Sequence, residues 1–134
     1  MKTLLAGLAL ALAVAGAACA ADRPEGRWVS QTGNVVVAMA ACGPALCGAV
    51  VRVMGNVSME AGGHMSSAPP ARIGERLMTG FTPSGAGQWT GKLFNRENGH
   101  TYDCVITPHG RTMTLRPYIV LPWFGRDVVW TRAA

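Results

Sequence analysis

Short runs of alternating apolar and polar residues dominate the chain from about residue 26 onward. Tyr102, Cys104 and Ile106 take one side of such a run, and Thr101, Asp103 and Thr107 take the other. That is the two-residue period of a half-buried strand. Met113, Leu115 and Ile119 line up similarly in the next run, whereas Val35-Val36-Val37 is apolar on both faces and leaves its orientation open. Turn-forming residues separate the runs at Thr32-Gly33, Gly43-Pro44, Pro83-Ser84-Gly85, Asn98-Gly99 and His109-Gly110. The Asn-Gly pair is the strongest hairpin signal among them. The pattern predicts eight strands, near residues 26–31, 34–41, 47–54, 75–82, 88–95, 101–107, 112–120 and 126–132, and no capped helix. Eight short strands joined by tight turns predict an all-β domain, a small barrel or sandwich, in which closure removes exposed edges. Pro117 interrupts its strand and implies an edge position or a bulge.

One connection is long. Residues 56–73 are rich in Gly, Ser, Ala and Met and end near Pro69-Pro70. A connection of that length is functional or disordered in a compact domain. Mobility is the expectation here, with a short helical turn around Met59 as the alternative.

The first twenty residues follow a different plan. Lys2 supplies a short positive start, Leu4 to Val14 is uncharged, and Ala18-Cys19-Ala20 has the small-x-small form read by signal peptidase. Residues 1–20 are therefore expected to be a cleaved signal peptide, with cleavage before Ala21 or before Asp22. Residues 21–134 are then one domain in the periplasm or outside the cell. Two alternatives stay open: an uncleaved anchor, and a lipoprotein acylated at Cys19. Against the latter, Gly16 stands three residues before the cysteine, where that route prefers Leu, Val or Ile. No later segment approaches 18 continuous apolar residues, so no transmembrane helix is expected after cleavage.

Removing the leader changes the composition. Part of the positive mean hydropathy leaves with it, and the remainder keeps every acid and all basic residues except Lys2. Ten of the twelve basic residues are Arg, scattered from Arg23 to Arg132. Nucleic-acid binding needs a clustered stripe, so none is expected.

Four cysteines become three when Cys19 departs. Cys42 and Cys47 flank Gly43-Pro44-Ala45-Leu46, a four-residue hairpin loop, and residues across an antiparallel pair lie within disulfide range. A Cys42–Cys47 bridge is expected in an oxidising compartment; a redox-active pair is the alternative. Cys104 reads as a buried, inert thiol. As a nucleophile it would need a nearby base, and only His64, from the long connection, meets no strand-geometry objection. Met54, Met59, His64 and Met65 form a sulfur and imidazole group suited to copper(I). Met59, His64 and Met65 are its core candidates, against the plainer reading as a strand residue and loop filler. A zinc site from Cys42, Cys47 and a histidine would compete with the disulfide. No cofactor is expected. Asn56-Val57-Ser58 has the glycosylation pattern, which is common by chance.

Taken in order, a set of motifs spans the mature chain. They are Gly26-Arg27-Trp28, Cys42-Gly43 with Leu46-Cys47-Gly48, and Trp89-Thr90-Gly91-Lys92-Leu93-Phe94. Asn98-Gly99-His100-Thr101-Tyr102, Arg116-Pro117-Tyr118-Ile119 and Phe124-Gly125-Arg126 with Trp130-Thr131-Arg132 complete it. With these the chain resembles the bacterial exported family called domain of unknown function 2147. The resemblance implies a small antiparallel up-and-down barrel of about eight strands, lipocalin-like or calycin-like, in a family without an established activity. It also implies structural roles for Gly26, Trp28 and Arg132: the indole plugs the closed end and the guanidinium lies across it. Pro117 departs from the family's Gly, and Asn95-Arg96-Glu97 from its more usual acidic, Pro-containing turn.

No set of residues points to catalysis, so the chain is read as a non-enzyme. The leading expectation is a periplasmic barrel binding a small hydrophobic or amphipathic molecule, since eight strands can enclose one ligand. Leu121-Pro122-Trp123-Phe124 puts apolar groups on a turn near an opening, which makes Trp123, Phe124 and Tyr118 the candidate contacts. A structural or partner-binding envelope protein is the alternative, with Trp123 and Phe124 as an exposed patch. Copper handling through the Met/His segment is the lesser one. Oligomeric state is left open.

Overall fold

The computed structural model describes residues 22–60, 62–120 and 125–134. Its strands are β1 (Gly26–Val29), β2 (Val35–Cys42), β3 (Ala45–Val53), β4 (Arg76–Gly85), β5 (Gln88–Phe94), β6 (Thr101–His109), β7 (Thr112–Tyr118) and β8 (Val128–Arg132). Each pairs antiparallel with its neighbour in sequence, and β8 returns to β1 through Trp28↔Arg132 and Val29↔Thr131. The sheet closes into an eight-stranded up-and-down barrel, as the resemblance implies, which decides between the barrel and the sandwich that the strand pattern leaves open. No α-helix occurs among the described residues, and none there is long and apolar enough to cross a membrane.

Alternation along the strands fills the interior. Val35, Val37 and Met39 from β2 enter the core, so the ambiguous valine run is settled by its neighbours. Val36 is also buried but lies outside that cluster. Cys104 and Ile106 face Met113 and Leu115 from the adjoining strand, all four fully buried. On β4, Gly80 has φ +67° where the pairing to β5 shifts register between Thr79 and Thr82. A glycine at positive φ is the usual device for such a bulge, and the bend brings Phe81 into the core.

Several boundaries differ from those the turn residues predict. The β2–β3 turn is only Gly43-Pro44, with Cys42 opposite Ala45 and Ala40 opposite Cys47. The two cysteines are therefore diagonal neighbours. They still form a disulfide, because the diagonal brings their Cα atoms to 5.8 Å. Strand β4 runs through Pro83-Ser84-Gly85 and turns at Ala86-Gly87. Its last partner on β3 is Phe81, so Pro83 lies on a local edge where its missing N–H costs no ladder bond. Pro117 sits on a local edge too, as expected, because β8 pairs with β7 only as far as Leu115. Asn98-Gly99 falls inside a longer connection that closes through Asn95 N–H to the His100 carbonyl (2.8 Å). The following turn is Gly110-Arg111, with His109 still in β6. Ile119 lies beyond the end of β7 and is 78% exposed, so it does not continue the Met113–Leu115 face.

Strand direction sorts the connections to two ends. The tight turns at 43–44, 86–87 and 110–111 share one end with the start of β1 and the end of β8. The connections from β1 to β2, β3 to β4 and β5 to β6 meet at the other, where β7 ends and β8 begins.

Candidate functional site: the open end of the barrel

The tight-turn end is sealed. Trp28 has no exposed surface, and its indole N–H donates to the Pro24 carbonyl (2.8 Å). The Arg132 guanidinium lies 4.3 Å from the ring centroid and donates to the carbonyls of Gly110, Glu25 and Arg23. One side chain thus caps the indole and ties the last β-turn to the entering chain. Gly26 completes the arrangement: a Cβ there would stand 2.9 Å from an Arg132 nitrogen. The Gly-x-Trp spacing therefore has a steric cause.

The other end opens into a recess of about 100 Å³. Val35, Leu77, Leu93, Leu115, Val128 and Trp130 supply an apolar floor and wall, and Gln31, Thr32, Asn95, Arg96 and Glu97 supply a polar rim. Apolar lining with a few polar groups is the composition of small-molecule sites. A dry apolar cavity of about 150 Å³ holds a benzene-sized guest.

Val57 and Met59 roof part of this recess, and they belong to the long connection. That connection forms no helical turn at Met59. Its two arms, 56–60 and 64–68, pair through an antiparallel bridge at Val57↔Met65, with Ser58 N–H donating to the His64 carbonyl (2.7 Å). The barrel holds these arms by named groups. The buried Asn34 amide accepts from Val57 N–H and donates to the Val57 carbonyl, both at 2.8 Å, standing in for a strand partner. The Asn34 carbonyl also accepts from Met54 and Gly55. From the 95–100 connection, the Glu97 carboxylate accepts from the Ser58 hydroxyl and from Met59 N–H (2.9 Å). Arg96 donates to the Pro69 carbonyl and the Asn56 side chain. The bond from Ser58, then the one from Met59, hold the Glu97 carboxyl below the usual carboxylate range.

The residues predicted from the sequence are not all brought together here. Trp123 and Phe124 lie outside the described residues. Tyr118 does not line the recess: opposite Asp103, which is itself opposite Lys92, it stands in an outward-facing row beside the Lys92–Asp103 ion pair. Met59 lines the recess, while Met65 and His64 are exposed on the arms above it. Among the described residues no group of three or more His, Cys, Asp or Glu is placed to hold a metal ion. Asn34 is a group the sequence did not single out, and Arg96 and Glu97 entered only as a departure from the family's turn, with no role in a site. Their signal, an Asn after a turn Gly and a charged pair in a connection, is too ordinary to stand out.

Cys104 is the free thiol of the described residues and sits in the core, with its sulfur 3.7 Å from the Val105 carbonyl. Burial pushes its pKa up to about 12, so the thiolate a nucleophile needs is not available at neutral pH. A thiol reagent should leave the folded, non-reduced chain from residue 21 unlabelled, and label one cysteine after unfolding and three after reduction. Labelling of Cys104 in the native state would contradict the buried placement.

A closed barrel with a sealed end, an apolar mouth and a tethered cover defines the class: a small antiparallel up-and-down β-barrel. The family model described as an uncharacterized protein conserved in bacteria, domain of unknown function 2147, matches residues 26–132. The chain belongs to that family. Comparisons with curated proteins and with solved structures found no match to the chain.

Proposed function

We propose that the protein is an exported, non-enzymatic periplasmic barrel that binds a small hydrophobic or amphipathic molecule at its open end. The observation that carries this reading is the mainly apolar recess between the ends of β2, β4, β5, β7 and β8, whose polar lining is the buried Asn34 and groups at the rim. Its size, below that of a cavity holding a benzene-sized guest, suits the end of one aliphatic chain, with any polar portion left at the rim. Export rests on the form of residues 1–20.

Native mass spectrometry of protein taken from its own periplasm should show an added mass that disappears on denaturation. Val128→Trp, which fills the recess from its half-buried wall, should remove the added mass while keeping the β-sheet circular dichroism. A wild-type protein that is always unoccupied would overturn the reading.

The second reading is an envelope protein that binds a partner. Ile119 and Val120, 78% and 74% exposed just after Tyr118, favour it. A partner captured by wild type and lost on Ile119→Ser would support that role.

A further inference from the structure

The structure assigns a latch to the proposed binding site: Glu97 holds the 56–60 arm across the mouth, and releasing that carboxylate admits ligand. This rests on the mouth being a binding site, and it deepens that reading by naming what controls entry.

Three observations meet at this point. First, Val57 and Met59 of the arm are part of the wall of the recess, so its closed volume of about 100 Å³ depends on where the arm lies. A guest of one ring or more needs the arm to move. Second, beside the Arg96 bond to the Asn56 side chain and the pairing with the 64–68 arm, the barrel holds the arm at two points of unequal kind. At Val57 it is held by the buried Asn34 amide through two hydrogen bonds. At Ser58 and Met59 it is held by the half-buried Glu97 carboxylate, which solvent reaches. The first is a hinge and the second a catch. Third, the catch is built from one charged acceptor and two neutral donors, and a charge-assisted bond of that kind weakens when the acceptor is neutralised. The 95–100 connection that carries Glu97 is itself braced, with Glu97 N–H donating to Asn95 Oδ1 (2.8 Å), so the carboxylate is presented from a fixed position.

The sign of the pH effect follows. Because the folded arm lowers the pKa of Glu97, its contribution is complete above the ordinary glutamate range, near 4.3, and is lost as pH falls through the lowered value. His64 and Ser66 on the opposite arm also face the carboxylate and favour its charged form. Arg96 precedes it in the same connection but is committed to Pro69 and Asn56. The Glu60 backbone N–H donates to the Ser58 hydroxyl and so fixes the donor that Glu97 accepts from. Protonating Glu97 releases the catch, so acid below the carboxylate range opens the mouth.

Two measurements on the full mature chain test this. In hydrogen exchange at pH 7, Glu97→Gln and the harsher Glu97→Ala should speed exchange at Met59 by about tenfold or more, the equivalent of roughly 1.4 kcal/mol. Core amides such as Ile106 should not change. In stopped-flow fluorescence with N-phenyl-1-naphthylamine, a guest larger than the closed recess, both variants should associate faster by a similar factor. Asp103→Asn, a carboxylate away from the arm, should not. Wild type should reach the variants' rate as pH falls below the ordinary glutamate range, while the variants stay flat. Unchanged exchange at Met59 in both variants would overturn the latch, and faster exchange with unchanged probe association would overturn its control of entry. A probe that binds no form of the protein, with exchange responding as expected, would count against the mouth as a binding site and leave the catch standing.

Discussion

Trp28→Ala should cost the barrel about 4–5 kcal/mol, at the upper end of what removing a large buried aromatic costs. The side chain is fully buried at the sealed end, and the space it leaves is bounded by strands that pair on both sides and cannot collapse inward. Two further losses accompany the cavity. The Pro24 carbonyl loses its donor, and the Arg132 guanidinium loses the ring it covers, a contact that contributes about 0.5–2 kcal/mol. A domain of this size has only about 5–15 kcal/mol in total, so the variant should be partly unfolded near 37 °C. Urea denaturation followed by circular dichroism measures the loss directly. Trp28→Phe should keep most of the volume and lose chiefly the hydrogen bond, costing about 1–2 kcal/mol. A Trp28→Ala variant within about 1 kcal/mol of wild type would show that the indole does not seal the barrel.

Gly91→Ala is the second large effect, and it adds a single methyl group. A Cβ at Gly91 would stand 2.7 Å from two ring carbons of Phe81 and 2.7 Å from the Thr79 carbonyl oxygen. The ring can rotate only at the expense of its own packing, and the carbonyl belongs to the backbone of the adjoining strand. Overpacking of this kind costs about 1–3 kcal/mol, and the backbone contact places Gly91→Ala at the top of that range. Phe81→Leu should relieve the ring contact but not the carbonyl contact. The double variant should then be more stable than the sum of the two single losses predicts, by about 0.5–1 kcal/mol. Strict additivity in the double-mutant cycle would show that the ring is not what Gly91 accommodates.

The same pair illustrates how legibility divides. Phe81 and Gly91 lie on neighbouring strands whose existence the alternation predicts, but nothing in either segment says that the ring of one fills the space above the other. The β4 bulge at Gly80 sets that register, and a bulge shifts every later side chain to a new neighbour. The cysteines behave similarly. Their spacing identifies Cys42 and Cys47 as partners, while the two-residue turn, which makes them diagonal, depends on how the hairpin closes. Tyr118 shows the opposite case. Its strand is legible, yet its face follows from pairing with Asp103, and that register directs it outward, away from the recess.

By itself the sequence determined the all-β class, the number and order of strands and the family, and the resemblance to that family implied the Trp28–Arg132 closure. Each of these is written in local period, in turn residues, or in motifs that keep their order along the chain. Only the tertiary structure decided what the long connection does. Its bonds join Asn34 to Val57, Ser58 to Glu97 and Arg96 to Asn56, groups separated by 23, 39 and 40 positions. No local pattern encodes such partners; they meet because closing the barrel carries the 30–34, 54–75 and 95–100 connections to one end. A segment that reads as mobile from its composition is held because buried and charged groups elsewhere in the chain satisfy its backbone.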